Sequence, residues 1–262
     1  MKIGIIGCGA IGSVLCRYVD KKKDLKLAAI CDIDKAKTGK IKNLLKSKPV
    51  ITNIDNLIKK TDLIIEAVSP KVVKDILLKC IKYKKDLMVM SVGGLLKDMN
   101  LLKKITNKLY IPSGAICGID GLKAANIENI KKVTITSIKS PRSLEGAPYI
   151  IKKKIDLKKI KHKKTIFDGN AIDAIIGFPS NVNVSATLSL AGIGPKKTRV
   201  KVIVDPNTKK NTHIIEITGS FGKLKTITEN VVSPLNPKTS HMAVLSACAT
   251  LERLTGHIKI GN

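Results

Sequence analysis

The sequence predicts an α/β protein: a doubly wound parallel sheet followed by a second, α+β domain built on a mixed or antiparallel sheet. Three observations carry this. Residues 1–112 alternate short apolar runs with stretches of helical period, as a parallel sheet with crossover helices requires. The glycine triplet Gly7-Cys8-Gly9-Ala10-Ile11-Gly12 lies where the first apolar run meets the first helical stretch. Beyond residue 112 the apolar period falls to two, the mark of strands with one covered face.

In chain order, Ile3–Ile6 is the first expected strand and residues 10–21 the helix after it. Leu27–Cys31 is the second strand, Lys35–Lys46 a lysine-rich helix, and Val50 with Ile51 a short third strand. Ile54–Lys60 forms a brief helix before the fourth strand, Leu63–Ala67. Ser69-Pro70 ends that strand, because proline has no N–H to give a ladder. The helix Val72–Ile81 and the strand Leu87–Met90 follow, Gly93-Gly94 breaks the chain before another helix, and Leu109–Ile111 is a sixth strand.

In the second half, Lys132–Ile138, Arg199–Val204, Thr212–Thr218 and Lys223–Glu229 alternate as strands, the last two joined by a hairpin turn at Ser220-Phe221-Gly222. Helical patterns interrupt them at 169–177 and 181–192, and Ser240–Leu254 is a closing helix. The expected domains are therefore 1–112, a dinucleotide-binding domain, and 113–238, with 239–262 returning to pack on the first. The lysine-rich stretch 152–164 is expected to be flexible or solvated.

A net charge of +28 raises the question of nucleic acid. Arginine, which forks onto phosphates and guanine edges, occurs only four times, and aromatic residues, on which bases stack, make up 3%. The excess is lysine spread along the whole chain, so a solvated basic surface is expected rather than a specific nucleic-acid partner. No apolar stretch approaches the roughly 20 residues that span a bilayer, and the glycines at 4, 7, 9 and 12 argue against a secretory signal. Six scattered cysteines without a C-x-x-C pair suit reduced thiols in a cytoplasm and offer no metal site.

Each glycine of the triplet has a physical task. Gly7 permits a tight strand-to-helix turn, Gly9 lets backbone approach a pyrophosphate, and Gly12 lets the helix pack on the strand. The helix start, at Ala10 and Ile11, offers free N–H groups and the positive end of a dipole. Asp32, twenty residues past Gly12 at the end of the second strand, can accept hydrogen bonds from ribose hydroxyls. This is a Rossmann-type arrangement for a dinucleotide. The Asp32 carboxylate repels a 2′-phosphate and favours NAD, while Asp34 and Lys35 beside it leave NADP open. Of four histidines, His162 lies in a lysine run, His241 opens the closing helix and His257 follows a glycine near the chain end. His213 lies on an alternating strand with Ile215 and Ile217, where pattern alone allows a core residue or a catalyst.

Four further segments carry a resemblance. Ile111–Asp120, the Phe-Pro-x-Asn-Val-Asn-Val run that opens Phe178–Gly192, Asn211–Gly222 and Asn236–Ser240, taken with the glycine loop, resemble the archaeal and bacterial L-aspartate dehydrogenase family along essentially the whole chain. The resemblance implies NAD(P)-dependent oxidation of L-aspartate to iminoaspartate, then oxaloacetate and ammonia, in a cytoplasmic homodimer that supplies quinolinate and NAD synthesis. It implies that Ala115 and Asn183 contact the nicotinamide and that His213 is the active-site histidine. Asn181 is as well read as a helix cap. Cys117 departs from the expected small residue. Lys123, Lys196, Lys197 and Arg199 are candidates for the substrate carboxylates. The rivals are a related two-domain reductase (dihydrodipicolinate reductase or homoserine dehydrogenase), a non-catalytic NAD-binding protein, and a basic nucleic-acid-binding protein.

Overall fold

A computed structural model of the chain describes residues 1–179, 182–233 and 236–261. It divides into two units: Met1–Pro112 with Ala247–His257, and Ser113–Ser246 with the segment from Ile258 onward.

The first unit holds a parallel six-stranded sheet. Its strands are β1 (Lys2–Ile6), β2 (Lys26–Cys31), β3 (Val50–Ile51), β4 (Leu63–Glu66), β5 (Asp86–Val89) and β6 (Leu109–Tyr110), in the order β3-β2-β1-β4-β5-β6. This is the doubly wound order, and the switch in direction falls between β1 and β4. Ile3, Ile5, Leu63, Ile64 and Ile65 are fully buried, because a parallel sheet is covered on both faces. Helices α1 (Ala10–Asp20), α2 (Lys35–Leu44), α3 (Ile54–Lys60) and α4 (Val73–Lys82) connect the strands. In α1 the buried residues are Gly12, Leu15, Cys16 and Val19, and in α4 Val73, Ile76, Leu77 and Cys80, each set one helical face. Gly93-Gly94, expected to break the chain before another helix, lie instead inside a 3-10 helix, Val92–Asp98, that runs into the short α5 (Met99–Leu102).

The second unit is built on a five-stranded mixed sheet. Its strands are β7 (Ile130–Lys139), β8 (Lys164–Asn170), β9 (Arg199–Val204), β10 (Asn211–Gly219) and β11 (Gly222–Asn230), ordered β11-β10-β7-β9-β8. The pair β7 and β9 is parallel and the other neighbours are antiparallel. The helices of this unit are α6 (Ile119–Ala125), α7 (Pro141–Leu144), α8 (Pro148–Lys152), α9 (Ala171–Gly177) and α10 (Asn183–Ala191). A small pair, β12 (Val232–Ser233) and β13 (Asn236–Ser240), precedes α11 (His241–Thr255).

The stretch 152–164, expected to be flexible or solvated, is largely exposed and carries local structure. It holds the end of α8, a 3-10 turn at Leu157–Lys159 and the first residue of β8. Leu157 is 8% exposed and pins the segment, while Lys153, Lys154 and Lys158 face solvent. Helix α9 starts later than expected because Asn170 caps it, accepting the Asp173 N–H at 3.0 Å, and residues 164–170 form β8 instead. Phe167 of that strand packs against Tyr149 and Phe178, with ring centroids 5.3 and 5.6 Å away.

Candidate functional site

In the first unit the glycine loop follows β1 at the switch point. Gly7 has φ +97°, and a Cβ there would lie 2.5 Å from Ala67 O, so the turn after β1 meets the turn after β4 with no room for a side chain. A Cβ on Gly12 would lie 1.8 Å from Gly7 O, which shows how closely α1 approaches the strand end. Gly9 differs: a Cβ there would meet nothing within 4 Å. Helix α1 begins at Ala10 and Ile11, both half-buried, with no side-chain cap and no acidic residue in its first turn. Helices α2 and α3, by contrast, are capped by Asp34 and Asn53. An uncapped helix start beside open space suits an anionic group.

Asp32 accepts from Cys8 N at 2.7 Å and from Asp34 N at 2.9 Å, one oxygen each. The carboxylate therefore braces the glycine loop and keeps lone pairs for another donor. Ile33, next to it, is fully exposed. These residues fit a dinucleotide: space over Gly9, free N–H groups at Ala10 and Ile11, and a braced acceptor at Asp32.

Glu66, the last residue of β4, was missing from the sequence-derived set. Its buried carboxylate accepts from Val68 N, Ser69 N, Ser91 N and Ser91 Oγ at 2.7–3.1 Å. One side chain thus ties together the turns that follow β4 and β5. Burial pushes its pKa up, and the four donors pull it back.

In the second unit His213 is the third residue of β10, 2% exposed, with Ser137 of β7 opposite it in register. Its Nδ1 is 2.9 Å from Ser137 Oγ. Burial, and then the nearby positive charge of Lys139, hold the imidazole pKa down to about 3. Ala115 is brought to the same strands. Its carbonyl accepts from Asn230 Nδ2 at 2.9 Å and from Thr228 Oγ1 at 3.0 Å, and Thr228 is His213's register partner on β11. Gly114, at φ +72°, approaches Val184, since a Cβ there would lie 3.6 Å from Val184 Cγ1. That sets the 113–115 segment beside the start of α10, where Asn183 is the first helical residue and half-buried. Ala115 and His213 thus both adjoin Thr228, and the residue before Ala115 adjoins the helix that Asn183 opens, while Asn181 lies outside the described residues.

The expected carboxylate partners fare differently. Lys123, Lys196 and Lys197 are exposed, and Arg199 forks onto Asp168 at 2.7 Å through both nitrogens. Among the described residues of this unit the buried cation is Lys139, 3% exposed at the end of β7. Its signal was a lysine at position 139 in step with Val133, Ile135 and Ser137, the core face of the strand. Among the described residues no group of His, Cys, Asp and Glu could hold a metal, and no helix is long and apolar enough to cross a membrane.

Comparison with known proteins agrees with both halves. Residues 120–254 match the family described as "Aspartate dehydrogenase, C-terminal", and residues 7–109 match "Homoserine dehydrogenase, NAD binding domain". The L-aspartate dehydrogenases of Methanosarcina acetivorans and Methanosarcina mazei are 45% and 44% identical, covering 100% of this chain and 99% of theirs. The crystal structure of aspartate dehydrogenase from Thermotoga maritima is 26% identical with a TM-score of 0.77, over 100% of this chain and 99% of that one.

Proposed function

The chain belongs to the aspartate dehydrogenase family, and from that premise we propose that it oxidises L-aspartate at its amine-bearing carbon to iminoaspartate, which water converts to oxaloacetate and ammonia. A bound nicotinamide dinucleotide supplies the hydride acceptor, its ring carbon C4. Gly7, Gly9, Ala10, Ile11 and Gly12 take the pyrophosphate, Asp32 the ribose hydroxyls, and Ala115 with Asn183 the nicotinamide end. NAD is preferred to NADP because Asp32 carries the charge that repels a 2′-phosphate.

His213 accepts the proton released from the substrate nitrogen, or activates the water that attacks the imine. Burial and the nearby charge of Lys139 disfavour the imidazolium, so the ring is neutral and has a free lone pair before the reaction begins. Ser137 Oγ, 2.9 Å from Nδ1, holds the ring in place, and the role requires the tautomer in which Nδ1 carries the hydrogen and Nε2 accepts. The observation that carries this reading is a buried histidine held by Ser137, whose main-chain oxygen shares the Thr228 hydroxyl with Ala115 O.

The same reading makes the protein a cytoplasmic homodimer that feeds quinolinate formation. Edge strand β11, with Ile227 exposed and Phe221 in the turn before it, supports pairing through the second sheet. The test is the purified protein with NAD or NADP and each standard amino acid at mildly alkaline pH, followed by NADH absorbance. L-Aspartate with NAD is expected to give the largest rate. Turnover of homoserine alone, or of no amino acid, would refute the proposal.

A further inference from the structure

The covered face of the second unit's sheet carries a buried ammonium and a buried amide N–H2 with no anion to accept from them. Lys139 ends β7 on the face shared by Val133, Ile135 and Ser137, and Asn211 begins β10 on the face shared by His213 and Ile215. Lys139 Nζ donates to Asn211 Oδ1 at 3.3 Å. No carboxylate pairs with Lys139 among the described residues. An ammonium is seldom buried without an anion, because its lost hydration is left uncompensated.

Asn211 compounds the imbalance. Its side chain is buried, and Nδ2 has no hydrogen-bond partner. Turning the amide over would bring Nδ2 against the Lys139 ammonium, donor to donor, so the chemistry fixes the orientation as it stands. Two residues along β10 stands His213, whose protonation Lys139 disfavours. An ammonium with spare hydrogens, an amide N–H2 with none satisfied and an imidazole therefore share one buried face. What they lack in common is an acceptor of negative charge.

We propose that Lys139 and Asn211 form the seat for a carboxylate of the substrate, with Lys139 Nζ and Asn211 Nδ2 as its donors. This rests on the reading of the protein as an amino-dicarboxylate dehydrogenase and supplies a cationic partner that the exposed lysines and Arg199 do not. A carboxylate there completes both donors. It also cancels part of the repulsion that Lys139 exerts on a protonated His213, so the imidazole gains proton affinity only with substrate in place.

The test uses the full chain with two substitutions, Lys139→Met and Asn211→Asp. The first removes the charge and keeps the length of the side chain. The second supplies an internal carboxylate that pairs with Lys139 and occupies the seat. In both, KM for L-aspartate is expected to rise about 10- to 100-fold, the range for losing one or more charge-assisted bonds, with the affinity for NADH unchanged. Binding of succinate, measured by calorimetry, is expected to weaken by a similar factor, while binding of propionate stays weak in all three proteins. Folded variants that keep wild-type KM and bind succinate normally would overturn the proposal. If the wild-type protein binds succinate through these residues but does not oxidise L-aspartate, the seat stands and the activity reading falls. If it oxidises L-aspartate with both variants unaffected, the seat alone falls.

Discussion

A methyl group added at Gly9 and at Gly12 should separate two tasks of the glycine loop. At Gly12 the new Cβ would lie 1.8 Å from Gly7 O, about 1.6 Å short of the 3.4 Å at which ordinary contact begins. The obstacle is backbone, so α1 must move off β1. Overpacking of this kind costs about 1–3 kcal/mol or more, and the better helix propensity of alanine returns at most ~1 kcal/mol. A net loss of about 2 kcal/mol corresponds to a fall in Tm of roughly 4–8 °C for a chain of this size. At Gly9 the added Cβ meets nothing within 4 Å, and the backbone there is extended with φ −73°. Only the weaker N-capping of alanine remains, about 0.5 kcal/mol, so Tm should stay within about 2 °C. The same methyl fills the space through which a pyrophosphate would reach the helix N–H groups, and its NAD dissociation constant should rise about 10- to 100-fold. Calorimetry gives Tm, and NADH fluorescence titration gives affinity. A Gly9→Ala protein with wild-type affinity, or a Gly12→Ala protein with wild-type Tm, would refute the division of labour.

Three further outcomes are expected. His213→Ala should lower turnover at least ~100-fold with NADH affinity little changed, and near-normal turnover would remove His213 from the mechanism. Asp32→Ser should shift the ratio of kcat/KM values toward NADP by about tenfold or more, since a negative charge near the 2′-phosphate is lost; an unchanged ratio refutes its role in cofactor choice. The third concerns pH and stability. Burial lowers Lys139 from 10.5 to about 8, so the unfolded chain holds this proton more tightly; stability on its account rises between pH 8 and 10.5, by about 3 kcal/mol. His213, lowered from 6.5 to about 3, is likewise a group whose folded form sheds its proton, so stability falls as pH drops through that window. Urea denaturation of Lys139→Met should lack the rise between pH 8 and 10.5 and match or exceed wild-type stability at pH 7. A variant with the wild-type slope would show that the ammonium is not desolvated.

The parts of the fold legible beforehand are those set by neighbours in sequence. Strand β1, the glycine turn and α1 form one local run whose spacing states its own geometry, and the buried stripe at Gly12, Leu15, Cys16 and Val19 follows from a 3.6-residue period. Strand β8 escaped notice because lysines fill its approach and it lies at the sheet edge, where only Phe167 is buried. Glu66 was overlooked for a related reason. An acidic residue ending an apolar run looks like a strand terminus, and its four partners come from two turns, one of them 25 residues away.

The amino-acid order by itself determined the alternation of strands and helices in the first unit, the glycine turn, Asp32 at the strand end and the alternation that places His213 inward, because each depends on contacts a few residues long. Tertiary structure decided which strands lie side by side. It set β7 beside β10, bringing Ser137 to His213 across 76 residues and Lys139 to Asn211 across 72. Strand pairing is chosen by the burial of whole faces and by register across long loops. No window of sequence contains that information, and the unpaired charge at Lys139 exists only once the pairing is made.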